Sequence, residues 1–254
     1  MPEKKLHLKN VMKSFGGKKV VDVKDLTLGS HSIEGLIGPN GAGKTTLINL
    51  ITHKLKMDRG QVFYYPNGRE VDISNKSLDE IARLGIVRTN QIIQDFQSLS
   101  IKDSLLLSLS TPKYEKFYKI FSESELEKEA EEEIEKYLDY FHFENPEGHA
   151  LSAGEKKLLD IIRCLLLKPK FLLMDEPTGG LPQDQTEKVR DLMKKKTSEE
   201  DMSILIVAHD LDLIWDVSES VCFMAEGKIL IQGCPEEIRK NKTVAKKYMG
   251  ESDA

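Results

Sequence analysis

The sequence is poor in cysteine, in long apolar runs and in excess positive charge. Its three cysteines, Cys164, Cys222 and Cys234, are too scattered for a zinc site, and an odd number gives no disulfide framework. We therefore expect reduced thiols, as in a reducing compartment. No uninterrupted apolar run approaches the roughly 20 residues that a membrane-spanning helix needs. Any work at a membrane is therefore expected to go through a partner.

The charge balance argues against nucleic acid as a partner. The chain carries 37 lysines and arginines against 42 aspartates and glutamates, a formal net charge of −5, and no basic stripe dominates. The first ten residues, MPEKKLHLKN, lack the apolar core of a secretory signal. A hydrophobic fraction of 39% in 254 residues is typical of a globular protein with a sizeable core.

The order of apolar segments predicts an α/β fold. Short β-leaning segments begin the chain at Leu6–Val11, Val20–Leu28 and Ile33–Ile37. Later, the apolar segments Phe171–Met174 and Ile204–Ala208 each follow a helical pattern. Apolar strands that alternate with helices indicate a mostly parallel sheet covered on both faces.

A helical segment interrupts this core. From about Ile101 to Phe143 the pattern is helical and rich in charge, and its glutamates are explained by the solvated face of an amphipathic helix. We predict a single domain over residues 1–254. Within it, a nucleotide-binding core of residues 1–93 and 155–254 carries a helical subdomain at residues 94–154.

The stretch GPNGAGKT, Gly38 to Thr45, satisfies the phosphate-binding pattern G-x-x-x-x-G-K-[ST]. Its glycines let backbone N–H groups converge on phosphate oxygens, and the predicted helix Lys44–Ile51 points its partially positive N-terminus at the same anion. Lys44 can reach the β- and γ-phosphates, and the Thr45 hydroxyl can bind Mg²⁺. The sequence therefore predicts a phosphate site between a strand and a helix.

Two acidic residues end a later buried strand. In FLLMDEP, four apolar residues place Asp175 at the carboxyl end of the strand, where α/β sheets bind ligands. Asp175 can hold Mg²⁺ directly or through water, and Glu176 can polarise an attacking water.

A second helix N-terminus suited to an anion begins at LSAGEKKLL, where Ser152, Ala153 and Gly154 precede an apolar helical pattern. The alternative is an ordinary N-cap serine, which spacing alone leaves open.

In this order, the segments GPNGAGKTT, LSAGE, FLLMDEP and VAHD resemble the ATP-binding-cassette (ABC) ATPase family over nearly the whole chain. The resemblance implies a RecA-like phosphate-loop core with a mostly parallel sheet, an N-terminal antiparallel β subdomain and a helical insert. It identifies Gly38–Thr46 with the Walker A motif, Leu151–Glu155 with the signature motif and Phe171–Glu176 with Walker B.

The resemblance also implies roles for single residues, with ATP and Mg²⁺ as the bound groups. Glu176, His209 and Gln91 are the implied catalytic residues, and Thr45, Gln91 and Asp175 the implied metal-binding ones. By spacing alone, His209 fits a buried structural histidine equally well, Gln94 rivals Gln91, and Phe15 fits a core aromatic. The implied nucleotide-binding residues are Phe15, Gly38, Pro39, Asn40, Gly41, Ala42, Gly43, Lys44, Thr45 and Thr46, with Ser152, Ala153, Gly154 and Glu155 contributed from the signature motif.

The family's nucleotide sites lie between two ATPase domains arranged head to tail. The resemblance therefore implies a homodimer, or a heterodimer with a related ATPase subunit, because the chain has one copy of each motif. It further implies two transmembrane permease subunits, an indirect extracytoplasmic solute-binding protein, and a cytoplasmic position on the inner face of the cell membrane.

Within the family, KSFGG, GIVRTNQ and the ending GKILIQGCPEEIRKNKTVAKKYMG most resemble the ATP-binding subunits of branched-chain amino-acid importers. Alternatives are the ATPase of a lipopolysaccharide-type exporter and a soluble ATPase of the iron–sulfur-cluster-assembly type. A GTPase is disfavoured because NKSL, at residues 75–78, misses the guanine-reading N-K-x-D. A small-molecule kinase would not explain the signature motif or His209.

Four positions depart from the family's usual pattern. Ala153 and Glu155 replace a glycine and a glutamine, and Asn90 stands where relatives often have phenylalanine. Pro182 replaces an aspartate or asparagine after Walker B, which leaves the coupling across a dimer open. None of these removes a residue expected to touch phosphate or Mg²⁺, so we expect an active ATPase.

Overall fold

The computed structural model of the chain describes residues 5–89, 100–109, 123–143 and 151–249. Its strands are β1 (Leu6–Phe15), β2 (Lys18–Leu28), β3 (Ile33–Ile37), β4 (Arg59–Tyr64), β5 (Val71–Asp72), β6 (Ile86–Arg88), β7 (Phe171–Asp175), β8 (Ser203–Val207), β9 (Ser220–Ala225) and β10 (Lys228–Gly233). Its helices are α1 (Lys44–Ile51), α2 (Leu78–Arg83), α3 (Ile101–Leu109), α4 (Glu123–Phe141), α5 (Ala153–Leu166), α6 (Gln183–Glu199), α7 (Leu211–Val217), α8 (Pro235–Arg239) and α9 (Lys242–Met249).

The strands form two sheets. A four-stranded antiparallel sheet has the order β2-β1-β4-β5. A six-stranded sheet has the order β10-β9-β3-β8-β7-β6, in which β10 alone runs antiparallel to its neighbour. The predicted α/β class, with its mostly parallel sheet and N-terminal antiparallel sheet, is confirmed.

The central strands are buried because each of their faces meets a different apolar layer. On β8, Ile204 and Ile206 pack into a cluster with the helices α3 to α8, whereas Leu205 and Val207 pack into a cluster with α1 and the antiparallel sheet. Alternate residues of a strand point to opposite faces, so an unbroken apolar run is what two covered faces require. This arrangement fixes the carboxyl ends of β3, β7 and β8 along one edge of the sheet.

The short elements were harder to predict than the long ones. Helices α2 and α7 are absent from the prediction because each has fewer than two full turns, too few for a clear period. Each begins at a capping residue: Ser77 accepts from the Glu80 N–H group, and Asp210 accepts from the Asp212 and Leu213 N–H groups.

The helices α3, α4 and α5 pack on one another and on the parallel sheet as an insert in the core. The boundary predicted at residue 94 lies outside the described residues, so the domain limits stay a prediction. Within the part of the chain that the structure describes, no helix is both long enough and apolar enough to cross a membrane.

Replacing a leucine of the central strand tests the burial on both faces. We expect Leu205→Ala to lower the free energy of unfolding by about 2–5 kcal/mol, since Leu205 is 0% exposed and its truncation leaves a cavity. The matched control is Leu230→Ala on the edge strand β10, where the side chain is 40% exposed. Urea denaturation compares the two, and equal losses would contradict the layered core.

Candidate nucleotide-binding site

The loop between β3 and α1 is shaped by two glycines in close contact with neighbouring backbone. A Cβ atom on Gly38 would lie 2.0 Å from the Met224 carbonyl oxygen, and one on Gly43 would lie 2.4 Å from the Val20 carbonyl oxygen. Gly43 also has a φ of 102°, which side chains disfavour. Both positions therefore exclude other residues, and the turn exposes the backbone N–H groups of the α1 N-terminus.

Lys44 lies across this loop. Its ammonium group donates to the carbonyl oxygens of Gly38 (2.7 Å) and Pro39 (3.2 Å). Burial lowers the pKa of Lys44, and the nearby carboxylates of Glu176 and Asp175 oppose that shift. The side chain thus closes the loop on itself while its charge faces the acidic end of β7.

The C-terminal part of the chain holds the same loop through two hydrogen bonds, which we call the C-terminal brace. The Gly38 N–H group donates to the Tyr248 hydroxyl at 2.8 Å, and the Gly227 N–H group donates to the Ala42 carbonyl at 3.0 Å. The Tyr248 ring packs on Phe223, with 5.8 Å between the ring centroids. Burial raises the pKa of Tyr248, so its hydroxyl stays neutral at physiological pH.

The phosphate loop and the ends of β7 and β8 enclose a cavity of about 270 Å³. It brings together seven of the nine Walker A residues, Asn40 to Thr46, with the two acids and the histidine predicted from sequence. Its lining residues are Val20, Asn40, Gly41, Ala42, Gly43, Lys44, Thr45, Thr46, Asp175, Glu176, Val207 and His209. Pro39 lines a neighbouring cavity of about 760 Å³ between the loop and the start of α9.

Asp175 is held from its backbone and from its side chain. Its N–H group donates to the Thr89 hydroxyl at 3.1 Å, and its Oδ2 accepts from Nη2 of Arg88 at 3.0 Å. The other guanidinium nitrogen of Arg88, Nη1, donates to the Asn49 side-chain oxygen on α1. The end of β6 therefore connects the helix after the loop with the acidic end of β7.

Glu176 has an unusual backbone. Its φ is 53°, a left-handed conformation that costs a non-glycine residue about 1–2 kcal/mol. The Glu176 N–H group donates to the Val207 carbonyl at 2.7 Å. Lys157, on α5, donates to the carbonyl oxygens of Glu176, at 2.8 Å, and of Gly179. These bonds fix the turn that places Glu176 at the cavity.

His209 faces Glu176 across the cavity. Its Nε2 lies 3.6 Å from Oε1 of Glu176, and its side chain is 54% exposed. The exposure disfavours the alternative of a buried structural histidine.

The signature segment lies away from this cavity in the same chain. The Ser152 hydroxyl accepts from the Glu155 N–H group at 3.2 Å, and the Glu155 carboxylate accepts from the Ser152 N–H group at 2.8 Å. This capping box gives both residues a local role and explains why a glutamate is tolerated there. The segment instead borders a cavity of about 320 Å³, lined by Phe141, His142, Phe143, Ser152, Gly154, Glu155, Leu158, Leu181, Pro182 and Gln185.

Phe15, predicted to contact the nucleotide, does not line this cavity. The Phe15 ring is 48% exposed at the end of β1, so it is not a core aromatic, and Val20 of the next strand lines the cavity instead. Gln91 and its rival Gln94 lie outside the described residues, as does Asn90.

Sequence reasoning missed three residues of the site: Arg88, Lys157 and Tyr248. Each acts over a long separation in the chain, from 19 residues for Lys157 and Glu176 to 210 for Gly38 and Tyr248. A local pattern carries no signal for such pairs.

The family model described as ABC transporter matches residues 21–179. The chain is 34% identical over 259 residues to the "Probable branched-chain amino acid transport ATP-binding protein LivG" of Archaeoglobus fulgidus, covering 98% of this chain and 96% of that protein. It is 30% identical over 259 residues to the "High-affinity branched-chain amino acid transport ATP-binding protein BraF" of Pseudomonas aeruginosa, covering 97% of this chain and 98% of that protein.

Solved structures agree with these relatives. A nucleotide-free ATP-binding cassette from an ABC transporter superposes with a TM-score of 0.79 at 31% identity, covering 98% of this chain and 100% of that one. The ADP conformation of MJ1267, an ATP-binding cassette of an ABC transporter, superposes with a TM-score of 0.78 at 30% identity, covering 98% and 99%. From its family match, its relatives that are covered over nearly their whole length and its fold, the chain belongs to the ABC transporter family, as one of its ATP-binding cassettes.

Proposed function

We propose that the chain is the ATP-hydrolysing subunit of a transporter that imports branched-chain amino acids or a related small polar solute. The observation that carries the ATPase is the single cavity in which the phosphate loop, Asp175, Glu176 and His209 meet. The solute class is supported by the names of relatives that match over nearly their whole length.

The phosphate loop holds the ATP phosphates. The backbone N–H groups at the start of α1 point toward the cavity, and the helix dipole favours an anion there. Lys44 exchanges its two carbonyl partners for phosphate oxygens. Burial disfavours the charged ammonium and so lowers the pKa of Lys44, and a bound anion would stabilise that charge. Phe15, whose ring is 48% exposed at the end of β1 outside the phosphate cavity, is the aromatic that the family pattern assigns to stacking on adenine.

The residues at the cavity fit Mg²⁺, which prefers hard oxygen ligands. The Thr45 hydroxyl and the Asp175 carboxylate line the same cavity, and the Asp175 side chain is only 2% exposed. Thr45 and Asp175 would hold the ion, with Gln91 as a third ligand carried over from the family pattern. When bound, Mg²⁺ neutralises charge that develops on the phosphates.

Glu176 and His209 act on the attacking water and the γ-phosphate. The Glu176 carboxylate accepts a proton from the water, because its raised turn places it in the cavity beside the loop. His209 Nε2, 3.6 Å from that carboxylate, donates toward the γ-phosphate.

Two chains complete each other's sites. Ser152, Ala153, Gly154 and Glu155 begin a helix whose N-terminus faces a cavity away from its own phosphate loop. A twofold dimer places this N-terminus against the ATP held by the partner, and ATP then bridges the two subunits. Pro182, beside Leu181 at the same cavity, lies at the surface where the subunits meet.

The subunit works with two membrane-embedded permeases and, for import, with an extracytoplasmic solute-binding protein. Its place is then the cytoplasmic face of the cell membrane. The permeases seat near the helical subdomain and the segment that contains Gln91. The ATPase of an exporter or a soluble assembly ATPase would have the same hydrolytic site. The proteins bound to the chain therefore distinguish these functions from that of an importer.

Replacing Glu176 tests the hydrolytic role. We expect Glu176→Gln to bind ATP, to accumulate as a dimer and to lose at least about 100-fold in hydrolysis, because the amide cannot accept the proton of the water. Phosphate release and gel filtration with ATP measure both effects. The exposed Glu187→Gln on α6 is the matched control, and wild-type turnover of Glu176→Gln would remove Glu176 from this role.

Removing one hydroxyl tests whether the C-terminal brace shapes the loop. In Tyr248→Phe the Gly38 N–H group loses its acceptor, which costs about 1 kcal/mol. We expect the Kd for ATP, measured by calorimetry in the Glu176→Gln background, to rise roughly five-fold. The control is Tyr140→Phe, which removes a hydroxyl that donates to the Lys188 carbonyl oxygen on α6. Unchanged affinity in Tyr248→Phe would show that the brace is dispensable for binding.

Affinity capture tests the transporter. We expect the tagged chain, isolated from detergent-solubilised membranes, to copurify with polytopic permease subunits identified by mass spectrometry. Capture from the cytosolic fraction is the control. A soluble scaffold in place of permeases would overturn the transporter and favour the assembly ATPase.

A further inference from the structure

Arg88 occupies a position that the proposed mechanism does not use. It ends β6, with Nη2 at 3.0 Å from Asp175 Oδ2 and Nη1 bonded to the Asn49 side chain. The side chains are 10% exposed for Arg88 and 2% for Asp175, so the ion pair is almost completely desolvated. The Arg88 carbonyl also accepts from the Cys164 thiol on α5.

A desolvated carboxylate needs a compensating charge, and the neighbouring lysines Lys44 and Lys157 act on Asp175 only through space. A buried ion without a partner is strongly destabilising. Lys44 donates to the carbonyls of its own loop, and Lys157 donates to the carbonyls at 176 and 179. In the described part of the chain, the cation that contacts the Asp175 carboxylate is Arg88.

The geometry of the contact fits a positioning role. A guanidinium group is planar and donates in fixed directions, so it orients the groups that it joins. Asn49 lies one helical turn after Thr45, on the same face of α1. Arg88 therefore ties the face of α1 that carries Thr45 to the carboxylate of Asp175.

We propose that Arg88 is a positioning residue that acts as the resident counter-ion of Asp175 in the metal-free protein. It compensates the charge of Asp175 until Mg²⁺ takes over that role, and Asp175 lines the cavity that Thr45 also lines. The part that concerns Mg²⁺ rests on the proposed function; the pairing with Asp175 does not.

A double-mutant cycle in EDTA tests the pairing without nucleotide or metal. Thermal unfolding of the full chain compares wild type, Arg88→Met, Asp175→Asn and the double variant. We expect Arg88→Met to lower Tm by about 5–10 °C, because it leaves the carboxylate buried and unpaired. In the Asp175→Asn background the same change is expected to lower Tm by less than about 3 °C. Equal losses in both backgrounds would reduce Arg88 to a packing role.

Mg·ADP tests the link to the metal without hydrolysis. In Arg88→Met, the ion neutralises a carboxylate that has no counter-ion, so Mg·ADP is expected to raise Tm by several degrees more than in wild type. This excess is expected to vanish in the double variant and when EDTA replaces Mg²⁺. A smaller rise in Arg88→Met than in wild type would overturn the counter-ion role.

Two further variants keep the test decisive if Arg88→Met does not fold. Arg88→Lys retains the charge and is expected to fold with a Tm less than about 5 °C below that of wild type, whereas a larger loss or a failure to fold would overturn the proposal. Asn49→Ala keeps the ion pair and is expected to show the wild-type response to Mg·ADP. If Mg·ADP fails to stabilise the wild type, the proposed nucleotide site fails, while the cycle in EDTA still reports the pairing.

Discussion

A carboxylate buried at the edge of a parallel sheet is the constraint around which this site is organised. Asp175 ends a strand whose preceding residues must be apolar because both faces of the sheet are covered. Its side chain is consequently almost inaccessible to water, where an uncompensated charge is very costly. The cations near it, Lys44 and Arg88, come from different segments that converge only in the folded chain. The site is therefore a product of the sheet topology as much as of any one motif.

The parts of the structure that sequence predicted are those whose physical cause is local. The helix predicted at Lys44–Ile51 has the observed limits, since a glycine turn precedes it and its period is clear. The apolar run Phe171–Met174 is buried as expected, and Asp175 follows it at the sheet edge. The contact of Tyr248 with Gly38 spans 210 residues, so no local period could reveal it. The left-handed φ of Glu176 could not be predicted either, because glutamate rarely adopts it and the local sequence does not reveal the hydrogen bonds that hold it.

The signature segment shows how one pattern can have two causes. Ser152 and Glu155 satisfy each other's backbone N–H groups, so the helix α5 would begin there without any ligand. The same geometry leaves the N-terminus of α5 facing outward at a cavity shared with Leu181 and Pro182. Local capping and recognition of a partner's nucleotide are therefore compatible. The capping carboxylate is held by its own helix, which limits repulsion toward an incoming phosphate.

The helix that carries the signature motif and the hydrolytic turn are joined within one chain by Lys157. Its ammonium group, whose pKa is lowered by burial, bonds two carbonyl oxygens of the turn after β7. Any shift of α5 therefore acts on the backbone at Glu176, where the left-handed conformation already stores about 1–2 kcal/mol. In the proposed dimer, contact of the signature motif with the partner's ATP would move α5 and so adjust the carboxylate of the same chain. In that dimer, the strain at Glu176 would make hydrolysis in one site sensitive to nucleotide in the other, and Lys157 would be the link.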